Sequence, residues 1–231
     1  MNMEDIVYRN EEKYLITKQE ETYLKNLIAA VCKKDINSNQ NDGGYWIRSL
    51  YFDSLSDRDY NEKILGVSER RKIRLRIYNF DTQTVKLEIK NKIESYSVKE
   101  TLTISRWDSQ ELQNGNYDIL LKYGSRIANK AYYYLKKEQY RPKKIVDYIR
   151  EAYMYPVENI RITFDHDIKT GSTLDLFNKN FLLYPVLDRQ MCVLEVKYDK
   201  FFPVILKEIL SSSEMYRCSY SKYGAARMMT D

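Results

Sequence analysis

The sequence predicts an α+β domain dominated by antiparallel sheet. Roughly eight segments alternate apolar with polar or charged residues, the period of a strand. Helical signals fall at intervals among them. The 7 glycines form neither G-x-G-x-x-G nor G-x-x-x-x-G-K-[ST], so a Rossmann or P-loop phosphate cradle is excluded. A length of 231 residues suits one domain, taken as residues 1–231.

In chain order, Tyr8–Ile16 reads as a strand. Thr17 followed by Glu20 is a capping box, opening a helix whose apolar stripe is Leu24, Leu27, Ile28 and Val31. Asn37–Gly44 (NSNQNDGG) reads as a surface loop. Strands follow at Tyr45–Phe52, Ile73–Asn79, Thr84–Lys92 and Tyr96–Ile104. Asp108–Gln113 is a short helix with Gly115 near its end, and Tyr117–Gln139 is mostly helical with a break near Gly124. Lys144–Tyr153 and Asn159–Asp165 are two strands joined at Pro156, and Cys192–Tyr198 is another. Pro203 at a first helical position opens Val204–Leu210. Leu174–Leu187 gives no clear signal.

Composition removes several chemistries. With one histidine, His166, no His-rich zinc site and no histidine acid–base pair can form; Ser-His-Asp or Cys-His schemes would need that one ring. His166 itself reads as a surface or packing residue. Cys32, Cys192 and Cys218 are widely spaced and odd in number, which suits free thiols in a reducing compartment. The N-terminus is acidic where a signal peptide needs positive charge, and the most apolar stretch, Phe181–Leu187, is too short to span a bilayer. The expectation is a soluble cytoplasmic protein. The 22 tyrosines read as packing residues rather than base-stacking platforms, and Glu69–Arg76 (ERRKIRLR) alternates as a strand, so no nucleic-acid partner is expected.

Lys+Arg 38 against Asp+Glu 33 gives +5, and the useful question is where the charge sits. Lys72, Arg74 and Arg76 share one strand face opposite Ile73, Leu75 and Ile77. Glu88, Lys90 and Lys92 oppose Leu87 and Ile89; Arg161, Thr163 and Asp165 oppose Ile160, Ile162 and Phe164; Glu195 and Lys197 oppose Leu194, Val196 and Tyr198. A half-buried sheet with a solvated outer face produces this pattern. So does a barrel whose charged faces point inward under a coat of helices. In the second case the arginines and lysines suit a polyanion, and the glutamates suit a hard divalent cation. Alternation does not choose between the two.

The ordered motifs Arg9-x-Glu11-x-Lys13-Tyr14, Lys72-x-Arg74-x-Arg76-x-Tyr78, Leu87-Glu88-Ile89-Lys90, Tyr148-x-Arg150-x-Ala152-Tyr153, Arg161-Ile162-Thr163-Phe164-Asp165, Leu194-Glu195-Val196-Lys197-Tyr198 and Ser221-Lys222-Tyr223 run from about residue 6 to 227. Together they resemble the VTC domain, the polyphosphate polymerase domain of the triphosphate tunnel metalloenzyme (CYTH-like) superfamily. The resemblance implies a closed antiparallel β-tunnel of about eight strands with flanking helices. It also implies transfer of the ATP γ-phosphoryl group to polyphosphate with Mn²⁺ or Mg²⁺, in a tunnel lined by Lys13, Arg74, Arg76, Lys90, Arg150, Arg161 and Lys222, with Lys99 and Lys197 as weaker candidates. Arg74, Arg76, Lys90, Arg161 and Glu195 would carry catalysis. Glu195 is the first choice as metal ligand, with Glu88 and Glu11 as companions. Tripolyphosphate or nucleoside triphosphate hydrolysis, and non-catalytic binding of polyphosphate or RNA, remain as alternatives. Hydrolytic members begin with Glu-x-Glu-x-Lys; Arg9 stands at the first glutamate here, which favours the polymerase branch. Ser219 stands where the eukaryotic polymerase has a further lysine.

Overall fold

The structure is a computed structural model that describes residues 10–39, 43–81, 83–93, 96–157 and 159–229. Arg9 lies outside the described residues. All eight expected strands form: β1 (Asn10–Thr17), β3 (Tyr45–Asp53), β4 (Glu69–Tyr78), β5 (Thr84–Ile93), β6 (Tyr96–Ser105), β7 (Arg141–Met154), β8 (Arg161–Gly171) and β10 (Met191–Tyr198). Three pieces too short for periodicity to show are added: β2 (Lys33–Lys34), β9 (Leu183–Pro185) and β11 (Tyr216–Arg217).

All pairings are antiparallel, in the order β11-β1-β10-β8-β7-β3-β4-β5-β6, with β2 on β7 and β9 on β8. The expected closed eight-stranded tunnel is therefore corrected to an open sheet of eleven strands. No ladder joins β6 to β1 among the described residues, and β11 takes part of the edge that closure would need, pairing with β1 at Tyr14 and Leu15. The sheet nevertheless rolls until its two ends meet through side chains: Lys90 of β5 is ion-paired with Glu11 of β1.

Helices coat the apolar outer face. Helix α1 (Lys18–Val31) starts at the expected capping box, with the Thr17 N–H donating to Glu20 Oε2 at 2.7 Å and the Glu20 N–H to Thr17 Oγ1 at 3.3 Å. Its Leu24 and Ile28, with Leu206 and Ile209 of α5 (Val204–Ser211), pack on Ile162, Phe164, Leu194 and Val196. Pro203 proves to be the cap before α5 rather than its first residue. On the other half, α3 (Arg106–Gln113) and α4 (Arg126–Tyr132) pack Leu112, Ala128 and Ala131 against Leu75, Leu87 and Ile89. The expected break at Gly124 is real, with φ of 57° in the left-handed region. Burial of the apolar face under these helices decides the alternation: the charged faces turn inward.

Two short helices were not legible. Helix α2 (Arg58–Ile64) has no apolar stripe; its fully buried residue is Asp59. Helix α6 (Lys222–Met228), started by Ser221, which accepts the Gly224 N–H at 3.2 Å, enters the interior of the roll. There Tyr223 stacks on Tyr51, centroids 5.0 Å apart, and its hydroxyl donates to Asp53 at 2.7 Å. The segment Leu174–Leu187 becomes a strap: Arg48, forked onto Asp147 at 2.8 Å by both Nε and NH2, also donates to the carbonyls of Leu176 and Asn178. Among the described residues no helix is long and apolar enough to cross a membrane.

A cation-lined cavity inside the rolled sheet

The inward faces enclose a cavity of about 490 Å³. β1 contributes Glu11 and Lys13; β4 contributes Lys72, Arg74 and Arg76; β5 and β6 contribute Lys90 and Lys99. β7 and β8 bring Tyr148, Arg150 and Arg161, β10 brings Glu195 and Lys197, and the start of α6 brings Ser221 and Lys222. Every cation expected to grip phosphate lies on this wall, as do Glu11 and Glu195. Glu88 does not; it is 2% exposed, behind Arg74 and Arg76.

Strand register sets the pairings. Lys13 lies opposite Glu195, and Arg74 opposite Glu88. Glu195 is contacted by Lys13 at 2.9 Å, Lys197 at 3.1 Å, Arg150 at 3.3 Å and Lys222 at 3.5 Å. Burial pushes its carboxyl up, but Lys13, Lys197, Lys222 and Arg150 reverse this and hold it well below the usual range. Glu88 behaves alike: burial is outweighed by Arg76, Arg74 and Lys99, with Arg74 Nε at 2.7 Å and Lys99 Nζ at 3.3 Å. Glu11 is also lowered, burial being overcome by Lys197, Lys13 and Lys90. Arg161 stands at a mouth, its guanidinium 3.0 Å from both Asp35 Oδ2 and the Tyr45 hydroxyl.

Several participants were not singled out from the sequence. Asp165, fully buried, accepts the Arg150 fork at 2.6 and 2.7 Å and pairs with Lys222 at 2.5 Å, so it positions two of the expected phosphate ligands. Its place at the end of the Arg161–Asp165 alternation was the available signal. Tyr51 and Tyr148 accept hydrogen bonds from Arg74 and Arg76 at 2.9 and 3.1 Å; Tyr148 heads one of the quoted motifs, whereas Tyr51 sits among apolar neighbours and carries no such signal. Lys72 shares the face of Arg74 and Arg76, yet its ammonium reaches a hydroxyl, Ser221 Oγ at 2.8 Å, rather than a carboxylate.

The VTC domain family model matches residues 8–230. The chain belongs to the VTC domain family. Among solved structures, the VTC domain here is similar to a candidate adenylyl cyclase from Hippeastrum described as having a dominant triphosphatase activity, at 15% identity and a TM-score of 0.53 over 96% of each chain. It is also similar to candidate adenylate cyclases from Bacillus halodurans (12% identity, TM-score 0.52, 92% of this chain and 95% of that one) and from Vibrio parahaemolyticus (11%, 0.54, 95% and 97%). These likenesses establish the fold. No curated sequence matches the chain.

The divalent cation that the resemblance implies can be tested against the side chains present. Glu11 and Glu195 both reach one ammonium, Lys13 Nζ, at 3.4 and 2.9 Å, so two carboxylates already converge on a single cation. Two hard oxygen donors beside a cation-lined cavity suit Mg²⁺ or Mn²⁺, which keep further coordination positions for ligand oxygens. Glu88 sits apart, committed to Arg74, Arg76 and Lys99. One other group among the described residues, Glu21, Glu151 and His166, lies beneath α1 on the far face of the sheet. As at Glu11 and Glu195, a lysine bridges the carboxylates, Lys25 Nζ bonding both with Lys18 and Lys34 adding positive charge; what separates this group is that none of its residues lines the cavity. His166 there is a packing residue, its ring kept neutral mainly by burial.

Proposed function

We propose that this VTC domain is a metal-dependent polyphosphate polymerase. The observation that carries the reading is a cavity with lysines and arginines on every side, whose carboxylates on the wall (Glu11, Glu195) and behind it (Glu88, Asp165) are all held ionised by ion pairs. None of these carboxylates is poised to take a proton near neutral pH. A terminal phosphate oxygen needs no base, because it arrives already ionised. The hydrolytic alternative needs a water, which a bound metal would activate, so the products decide between the two readings.

In the proposed step, an oxygen of the terminal phosphate of the chain forms a bond to the γ-phosphorus of ATP. The bond from that phosphorus to the β–γ bridging oxygen breaks, ADP leaves with the electron pair, and the chain is one phosphate longer. Arg74, Arg76, Arg150 and Arg161 orient the phosphates through forked hydrogen bonds, and Lys13, Lys90, Lys197 and Lys222 neutralise charge; Lys99 assists from the rim. Glu195 with Glu11 would hold Mn²⁺ or Mg²⁺, which supplies charge neutralisation on the transferred group and leaving diphosphate. Positioning and electrostatics account for the chemistry without a histidine.

Incubation with ATP and Mn²⁺, following long-chain polyphosphate and free phosphate together, tests the reading. Metal-dependent polymer with equivalent ADP is expected. Free phosphate without polymer would replace the reading with hydrolysis, and neither product would leave a binding module.

A further inference from the structure

Beside the larger cavity lies a second space of about 240 Å³, and the two share Glu11, Lys13, Lys72, Lys90, Ser97 and Ser221 on their walls. Ion-pair accounting separates them sharply. Of the ten cations on the larger cavity, nine have a carboxylate partner; Lys72, on the shared wall, has none among the described residues. Of the eight cations on the second space, Lys13, Arg71, Lys90 and Arg217 have a carboxylate partner, whereas Lys63 of α2, Arg70 of β4 and Lys92 of β5, with Lys72, have none among the described residues, where Glu11 is the one acidic residue on its wall.

Unpaired cations crowded together are costly, and these feel it. Burial and then Lys13, Lys90, Lys63 and Arg74 drive the Lys72 ammonium well below its ordinary range. Lys63 and Lys92 are also lowered, by burial first and then chiefly by Arg70. Among the described residues Glu11 offsets this repulsion in part, at Lys92. An external polyanion would offset the rest, and a flexible, unbranched one can follow the wall from Lys72 outward. Tyr220 is the single aromatic side chain on the second space, so a platform for stacking bases is lacking there.

We infer that the second space is a vestibule in which Lys63, Arg70 and Lys92 hold the distal part of a linear polyphosphate whose near end lies in the larger cavity, with Lys72 at the neck, making the domain selective for long chains over triphosphate. This rests on the larger cavity being a phosphate site.

The test is titration calorimetry of the full chain with tripolyphosphate and with a long linear polyphosphate of defined length, at fixed salt. In the unaltered protein the long chain binds more tightly. Combined Arg70→Ala and Lys92→Ala should lower the ratio of long-chain to tripolyphosphate affinity about tenfold. Lys63→Glu, placed on a different element, should lower it in the same direction, which separates the effect from local damage to β4 and β5. An unchanged ratio in folded variants, or equal losses for both ligands, overturns the vestibule and leaves the larger cavity as the phosphate site. No tripolyphosphate binding by the unaltered protein overturns the underlying phosphate reading as well. An oligonucleotide that displaces long polyphosphate as well as polyphosphate itself does would contradict the ligand class.

Discussion

Lys13 and Glu195 face each other across the β1–β10 ladder, with Lys13 Nζ 2.9 Å from Glu195 Oε1, and the same ammonium reaches Glu11 at 3.4 Å. A cation bridging two inward carboxylates is how the roll tolerates charge inside a protein: each carboxylate is paired before any ligand arrives. The positive wall and its few acids are thus one balanced network that a phosphate chain would have to reorganise.

Glu195→Gln follows directly from that network. It leaves Lys13, Lys197, Arg150 and Lys222 without a charge they now share. Breaking a buried network of this kind costs about 3–5 kcal/mol. Thermal unfolding should show a lowered midpoint, with tripolyphosphate restoring more stability to the variant than to the parent. A variant as stable as the parent would contradict the pairing.

Arg74→Ala should damage turnover more than fold. Arg74 bonds Glu88 and the Tyr51 hydroxyl, and Glu88 keeps Arg76 and Lys99 when Arg74 is lost. Removing one such charge-stabilising donor typically lowers kcat by roughly 10²–10³-fold. Steady-state kinetics beside a melting curve decide it; loss of fold with retained specific activity would count against a catalytic place for Arg74.

Asp165→Asn is expected to weaken phosphate binding without removing a phosphate ligand. The carboxylate holds the Arg150 fork and Lys222 in place. The variant should raise the Kd for tripolyphosphate by about tenfold or more, and Asp165→Glu should recover part of it. Equal binding by all three forms would show that Asp165 does not position the pair.

The lysines give a pH dependence with a definite sign. Burial, with Lys197 and Lys13, lowers Lys90 to about 8 against the pull of Glu11, and burial with Lys13 and Lys90 also lowers Lys72. An arriving polyanion favours their protonated forms, so binding takes up protons, and affinity should fall as pH rises through about 8. Calorimetry in buffers of differing ionisation enthalpy measures the uptake. Proton release across that window would contradict it.

The eight long strands were legible because inward charge and outward Val, Leu and Ile alternate at period two, as in Lys72–Ile77 and Glu195–Tyr198. The wall cations were legible with them. Which way the faces turn was not, because alternation is symmetric; it takes Leu24, Ile28 and Leu112 packing on the apolar side to settle it. Closure was misjudged because the two-residue β11 has no period to read, yet it occupies the edge of β1. Helix α6 escaped because Gly224 interrupts a seven-residue helix that buries Lys222 and Arg227, the reverse of an amphipathic pattern.

Transfer of label from γ-labelled ATP to a polyphosphate primer of defined length, resolved by chain length, is the most direct test of the central claim. The account predicts metal-dependent growth of the primer one labelled phosphate at a time, with one ADP per phosphate added, and its collapse in Arg74→Ala. Label appearing as free phosphate while the primer stays its original length would contradict it.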